Sequence, residues 1–226
     1  MKLLNLETKN TKEKNELVFY FSKSKFNIMS LKSEYTIDKI RAIYIFKDKD
    51  RIFQWNPKGI RSTIFPIELM PAKENVIENE FYQTSIKDMR AISFKKGLYT
   101  AIISSEIAIQ FQFSEAFIEA LLDKFISTYS IIFSNQFIVS DNSLYAGFIA
   151  QIEPTFHYIR DERIKFVRGE CRICKTEHYV CVKKDLIEKT NDYPVALVHI
   201  HRGHGMLLYI DANFRVRGVE RVSING

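Results

Sequence analysis

Short runs of β-branched and aromatic residues, separated by charged or glycine-containing turns, recur through the first half of the chain. Runs of this length and composition are typical of β-strands. They predict strands at 17–21, 41–46, 51–55, 89–94, 99–104 and 108–113. The segment Lys47 to Asp50 predicts a hairpin between the second and third runs. The last three runs predict a meander, and polar residues 1–16 predict a flexible arm.

The spacing of apolar residues becomes helical after residue 113. Ser114 is a suitable N-cap, and Glu115 and Glu119 lie early in the segment, where the helix dipole favours acidic groups. One helical face carries Phe117, Leu121, Phe125 and Ile132. A stripe of this kind predicts a helix that packs on the sheet.

Prolines limit the other helical segments. Three of them between residues 57 and 88 leave room for at most a short helix around 72–81. A weaker helix is predicted from Ser143 to Ile152, and Pro154 is expected to end it. Pro154 and the charged segment Arg160 to Arg163 also predict a domain boundary, which divides the chain into residues 17–155 and 165–226.

The composition indicates a globular chain, with 46% hydrophobic and 27% charged residues among 226. No apolar run is long enough to span a bilayer, and no signal peptide is evident. The three cysteines are odd in number and close together, which argues against a secreted disulfide framework. We therefore expect a cytoplasmic protein without a membrane span; the oligomeric state cannot be inferred.

Two short segments of the last quarter hold most of the metal-ligand chemistry of the chain. Cys171 and Cys174 form a Cys-x-x-Cys pair, and residues 198–204 carry His199, His201 and His204. Two thiolates and two imidazoles form the Cys₂His₂ set typical of structural Zn²⁺. The sequence therefore predicts a structural zinc site with Cys171, Cys174, His201 and His204 as ligands.

The ligand assignment leaves alternatives open. His201 and His204 flank the short turn Arg202-Gly203, whereas His199 shares a strand face with His201 and is a candidate replacement. Cys181, within a predicted strand, is a second candidate, although it is also suited to a buried apolar position. The alternative to a metal site is that Cys171 and Cys174 are ordinary core residues. His157 and His178 are isolated in the sequence and are assigned no chemistry.

Catalytic motifs are absent from the sequence. There is no glycine-rich phosphate loop and no Gly-x-Ser-x-Gly motif. The segment from His199 to His204 has the spacing of the His-x-His-x-Asp-His motif of metallo-β-lactamase-like hydrolases, but Gly203 stands where that family has an aspartate. Few residues follow, and none of them is a histidine. We therefore expect no enzymatic activity.

The first part of the chain resembles longin or roadblock α/β domains, in which helices flank a central antiparallel sheet. This resemblance rests on the hairpin from Ile40 to Asn56 and on the meander and helix from Met89 to Phe133. It implies an α+β fold that docks a protein partner, with a small GTPase as the partner class. The function it implies is that of a non-enzymatic adaptor or regulator.

The tail resembles a small Cys/His module found at the end of uncharacterised archaeal proteins. The matching elements are the Cys171 and Cys174 turn, the strand Pro194 to Val198, the histidine-bearing turn and the closing hairpin Leu207 to Glu220. The resemblance implies a small zinc-ribbon-like β module and no known reaction. The net charge of +6 also suits a different function, which is nucleic-acid binding. In this alternative the tail contacts phosphates through Arg202, Arg215, Arg217 and Arg221.

Overall fold

The computed structural model describes residues 35–57, 66–86, 89–133, 143–201 and 203–222. Its architecture is α+β, with antiparallel sheets and a few helices, as the sequence predicts at this level. The predicted arm at 1–16 and the predicted strand at 17–21 lie outside the described residues.

Five antiparallel strands form the largest sheet, with the order β2-β1-β5-β4-β3. The strands are β1 Ile40–Lys47, β2 Asp50–Trp55, β3 Phe81–Ile86, β4 Met89–Lys96 and β5 Tyr99–Glu106. The predicted β1–β2 hairpin is confirmed, because Lys47 pairs with Asp50 across the turn. Strand β1 pairs with β5, so that the hairpin and the β3–β4–β5 meander share one sheet.

Helices cover both faces of this sheet. Helices α2, Phe111–Phe133, and α3, Ala146–Tyr158, pack on one face, where their aromatic side chains share a core with Ile43 and Ile45 of β1. The short helix α1, Met70–Glu74, lies on the other face, where Ala72 joins a core with alternate residues of β1. Coverage of both faces explains why β1 and β5 are buried along nearly their whole length.

The predicted strand at 108–113 is wrong, and so is the N-cap at Ser114. The chain turns after β5, and the carbonyl oxygen of Gln110 accepts the first backbone bonds of α2 from Phe113 and Ser114. The alternation of apolar residues before the helix is typical of a strand. Ile109, Phe113 and Phe117 are nevertheless four residues apart and fully buried, so helical burial outweighs the local strand pattern.

The region between β2 and β3 also differs from its prediction. The short helix expected around 72–81 begins at Met70 and ends at Glu74, and Phe81 already starts a strand. Phe81 stacks on Phe94 of β4 with ring centroids 4.7 Å apart, in the register of directly paired residues. This cross-strand aromatic contact favours the strand conformation. The meander therefore consists of β3, β4 and β5.

Pro154 does not end its helix. Helix α3 continues through Pro154 to Tyr158, and a π-helical turn, Ile159–Arg163, follows. Phe148, Ile152 and Phe156 recur every four residues and are almost fully buried. Burial of each such side chain contributes about 1.5–3 kcal/mol, which together outweighs the roughly 3 kcal/mol cost of an interior proline. The apolar face thus determines the length of this helix.

The tail contains two further antiparallel sheets. Strands β6, Ile164–Glu170, and β7, Glu177–Lys183, form a hairpin, and the short helix α4, Lys184–Glu188, follows. A three-stranded sheet with the order β10-β9-β8 ends the described chain. Its strands are β8 Val195–His201, β9 His204–Ile210 and β10 Val216–Val222. The predicted closing hairpin is formed by β9 and β10.

The β6–β7 hairpin lies between two cores. Ile164, Phe166 and Cys181 belong to the core under α2 and α3, whereas Val167 and Val180 belong to a core shared with the three-stranded sheet. Within the described residues, this second core draws only on residues from 167 onward. The division into 17–155 and 165–226 therefore stays a prediction. Strands β6 and β7 contribute buried side chains to both cores.

Candidate metal centre

The Cys171 to Thr176 turn connects β6 and β7 and brings two thiols to one end of the hairpin. The Cys171 amide donates to the carbonyl oxygen of Thr176 at 2.9 Å, and the Lys175 amide donates back to the carbonyl oxygen of Cys171 at 2.9 Å. Lys175 adopts a φ of 56° to close the turn. The Ile173 amide donates to Cys171 Sγ at 3.4 Å.

The second pair of candidate ligands comes from the β8–β9 hairpin. His201 ends β8 and His204 begins β9, and the two residues pair directly across the turn. Gly203 has a φ of 77°, a conformation that glycine adopts without strain. The predicted metal-binding turn is thus a tight hairpin, and the strand register places both imidazoles on the side of the Cys171 to Thr176 turn.

The four predicted ligands come together. The ligand atoms of Cys171, Cys174, His201 and His204 all lie within 4.8 Å of one another. Cys174 Sγ is 3.5 Å from His201 Nε2, and Cys171 Sγ is 4.0 Å from His204 Nδ1. A tetrahedral zinc ion with bonds of about 2.3 Å to sulfur and about 2.0 Å to nitrogen places its sulfur and nitrogen ligands roughly 3.5 Å apart. These residues therefore fit a metal ion with little rearrangement.

Cys174 is held in the state that binds metal. The thiol is exposed, and its pKa is lowered to about 4. The main cause is its contact with His178, and smaller contributions come from Thr176, His201 and His204. Because the thiolate is the form that coordinates metal ions, this site is prepared for a cation at neutral pH.

His178 belongs to the site, although its isolation in the sequence gave it no assigned chemistry. Its Nε2 lies 3.8 Å from Cys174 Sγ, and its ring centroid is 3.7 Å from that of His201. His178 is four residues after Cys174 and is the second residue of β7, the strand that follows the turn. A histidine at that distance from a Cys-x-x-Cys pair was a usable signal, but its proximity to His201 depends on how the two tail sheets pack.

The two proposed replacement ligands have different environments. Cys181 is fully buried in the other core, and burial raises the pKa of its thiol well above the usual range. It belongs to neither group of candidate ligands. His199 instead lies beside His178 and His201 in a second group of candidate ligands. Burial, followed by the nearby His201, His178 and Arg90, lowers the pKa of His199 to about 4, so its imidazole is neutral at pH 7.

Two other residues with metal-binding side chains, Asp211 and His157, lie away from the site. Asp211, the acidic residue nearest to the histidines in the downstream sequence, closes the β9–β10 turn and accepts hydrogen bonds from the Asn213 and Arg215 amides. It is a member of neither group of candidate ligands in the described chain. His157 lies with its Nε2 3.5 Å from a carboxylate oxygen of Glu153, on α3.

Some basic residues of the tail form internal contacts. Arg217 forms an ion pair with Asp211 at 2.6 Å. Arg215 and Arg221 are exposed, and Arg202 lies outside the described residues. The alternation predicted for this hairpin is present, since Phe214 and Val216 are half-buried and Arg215 and Arg217 are exposed.

No protein-family model matches this chain, and no curated protein sequence is significantly similar to it. Among the helices that the structure describes, none has both the length and the apolar character needed to cross a bilayer. The chemistry of the Cys/His site is thus the main indication of function.

Proposed function

We propose that Cys171, Cys174, His201 and His204 bind a structural zinc ion that fastens the β6–β7 hairpin to the three-stranded sheet. The observation that carries this proposal is the convergence of two sulfur and two nitrogen ligand atoms within 4.8 Å. Thiolates and imidazoles together select zinc over the hard cations Mg²⁺ and Ca²⁺, which prefer oxygen ligands. The ion would join two sheets that are separate in hydrogen bonding.

A structural role suits this ligand set better than a catalytic one. Four protein ligands fill the tetrahedral shell of zinc, whereas a catalytic ion keeps a position open for water. Neither group of candidate ligands in the described residues includes a carboxylate that could act as a general base there. When bound, zinc would supply cross-linking of the two turns rather than an activated water.

For the whole chain, we propose a non-enzymatic adaptor or regulator that docks a protein partner. The support is the antiparallel sheet with helices on both faces, which is the arrangement that the longin and roadblock resemblance implies. Strands β2 and β3 are the outermost strands of that sheet, and outer strands are common sites of partner recognition. The proposal of a small GTPase as the partner rests on the longin and roadblock resemblance alone. The proposal of a zinc-ribbon-like tail rests on the resemblance of the tail and on its ligand set.

Chelation tests the zinc proposal. The purified chain should contain one zinc ion, and its removal should raise hydrogen exchange across residues 168–222, because a small module takes part of its folding free energy from its ion. Cys174→Ser removes an exposed ligand without opening a cavity and should have the same effect. His157→Gln, which alters a histidine on α3, serves as the matched control and should retain zinc. Unchanged exchange after chelation would contradict a structural ion.

Nucleic-acid binding is the second candidate, and the exposed Arg215 and Arg221 are the observation in its favour. Salt dependence separates the two functions. Contacts with phosphates release counterions, so affinity for a nucleic acid should fall steeply as salt rises, whereas docking on a sheet edge should be far less sensitive. The deciding experiment measures binding of small GTPases, loaded with GDP or GTP, and of a DNA and an RNA probe. Each affinity is measured at several salt concentrations. Salt-sensitive binding to the nucleic-acid probes alone would reject the adaptor.

A further inference from the structure

Three imidazoles form a second group beside the four-ligand set. The ligand atoms of His178, His199 and His201 lie within 4.8 Å of one another. His199 and His201 are two residues apart on β8, and their rings are nearly parallel, 16° apart, with centroids separated by 5.7 Å. His178 comes from β7 and thus from a different sheet. Such a convergence of nitrogen ligands from two elements is the usual composition of a site for a borderline divalent cation.

His201 is shared by this group and the four-ligand set. Its Nε2 faces Cys174 at 3.5 Å, and its ring lies against His178. Where both groups use Nε2, that nitrogen can coordinate only one ion at a time, so the two groups compete for His201. The Nδ1 atom of His201 is buried and has no hydrogen-bond partner among the described residues. A metal-binding histidine usually has its second nitrogen fixed by such a partner, so this ring is less restrained in orientation than most ligands.

We propose that His178, His199 and His201 form an outer divalent-cation position that one ion occupies in alternation with the inner set of Cys171, Cys174, His201 and His204. The existence of the outer position depends only on the three imidazoles, whereas its role as a route for ion exchange rests on the proposed zinc site. Three nitrogen ligands leave one coordination position open, whereas the inner set closes the shell. The outer position is therefore the more labile one, and because it shares His201 with the inner set, it offers the bound ion a route for exchange.

Cobalt binding tests the outer position at equilibrium. The variant Cys171→Ser/Cys174→Ser/His204→Gln keeps only His201 of the inner set and all three outer ligands. It should bind one Co²⁺ without the thiolate-to-cobalt absorption of the wild-type chain. Adding His199→Gln should weaken this binding about tenfold or more, the scale expected when support for a metal site is lost. A folded triple variant that binds no Co²⁺ would overturn the proposal.

Exchange kinetics test the same position in chains whose inner set is intact, and they decide the matter if the triple variant does not fold. Transfer of zinc to a chromogenic chelator should be about tenfold slower in His199→Gln than in the wild type. His157→Gln is the matched control and should transfer zinc at the wild-type rate. An unchanged rate in His199→Gln would reject the exchange route.

The two experiments separate this inference from the proposed zinc site. Absence of the thiolate-to-cobalt band in the wild-type chain would contradict the inner site, whatever the triple variant does. A wild-type band together with unaltered transfer in His199→Gln would keep the inner site and reject the exchange route. When the triple variant folds, the inference requires both that this variant bind Co²⁺ through nitrogen and that His199→Gln slow the transfer of zinc.

Discussion

At the residue scale, the three cysteines of the chain differ in exposure and in acidity. Cys174 is exposed, whereas Cys171 is 1% exposed and Cys181 is fully buried. The pKa of Cys174 is lowered to about 4 by its histidine and threonine neighbours, and burial raises that of Cys181. Thiolates react with alkylating reagents and buried thiols do not, so the three residues should be distinguishable by their chemistry.

We predict that iodoacetamide at pH 7 modifies Cys174 first in the metal-free chain, that Cys171 reacts more slowly, and that Cys181, in the larger core, reacts last. Mass spectrometry of the digested protein measures each site. Added zinc should protect Cys174, because the ion occupies the sulfur lone pair. Equal modification of Cys174 and Cys181 in the folded chain would be inconsistent with the environments described above.

The ligand residues differ in how far the sequence could predict them. Cys171 with Cys174, and His201 with His204, were predictable because each pair is joined by a turn of two residues, which restricts both side chains to one region. His199 could be named only as a replacement ligand and His178 was assigned no chemistry, because the contact between them depends on the packing of β7 against β8 from another sheet. Sequence spacing constrains neighbours in the chain and does not fix the distance between sheets.

At the scale of secondary-structure elements, the two tail sheets are in close contact at Gly169 of β6. A Cβ atom added there would lie 2.8 Å from Leu208 Cδ2 and 3.3 Å from Met206 Cε, on β9. Both partners are buried. Their terminal atoms can yield to one methyl group, but a β-branched side chain would have to displace both.

We predict that Gly169→Val lowers the free energy of unfolding by about 1–3 kcal/mol, the usual cost of overpacking a core, and that Gly169→Ala has a smaller effect. Urea unfolding measures both. Gly147→Val is the matched control, because Gly147 is exposed on α3 and a Cβ there meets nothing within 4 Å. If Gly169→Val were as stable as its control, the two sheets would not be packed at this point.

The elements themselves show which sequence signals are decisive. The β1–β2 hairpin was predictable because its turn and both strands have the same local preference. The segment 108–113 was not, since its alternation suits a strand while Ile109, Phe113 and Phe117 suit a helix, and only burial decides between them. Pro154 shows the same hierarchy, because the buried face of α3 overrides a local helix-breaking residue.

At the scale of the whole molecule, β7 connects the two parts of the chain. The Gln110 side chain, just before α2, accepts a hydrogen bond from the Cys181 amide at 2.9 Å and donates to the carbonyl oxygen of Tyr179 at 2.8 Å. Lys183 forms a 2.9 Å ion pair with Glu115 of α2. Cys181 points into the larger core and Val180 into the tail core. Loss of one core therefore removes support from the other.

We predict that a cavity in the tail core destabilises the five-stranded sheet as well. Val180→Ala removes two buried methyl groups and should cost about 2 kcal/mol, which lowers the urea midpoint by roughly 1 M. Trp55, the one tryptophan of the chain, lies on β2 and reports on the large sheet through its fluorescence. If the two cores unfold together, the Trp55 midpoint falls as far as the midpoint measured by circular dichroism.

The two unfolding midpoints of Val180→Ala also test the predicted division into residues 17–155 and 165–226. Leu186→Ala alters an apolar tail residue that is 39% exposed and should shift neither midpoint appreciably. If Val180→Ala leaves the Trp55 transition unchanged while the dichroism signal splits into two steps, the tail unfolds independently and the predicted domains are separate. A common shift means that the β6–β7 hairpin, with one face in each core, makes the chain a single cooperative unit.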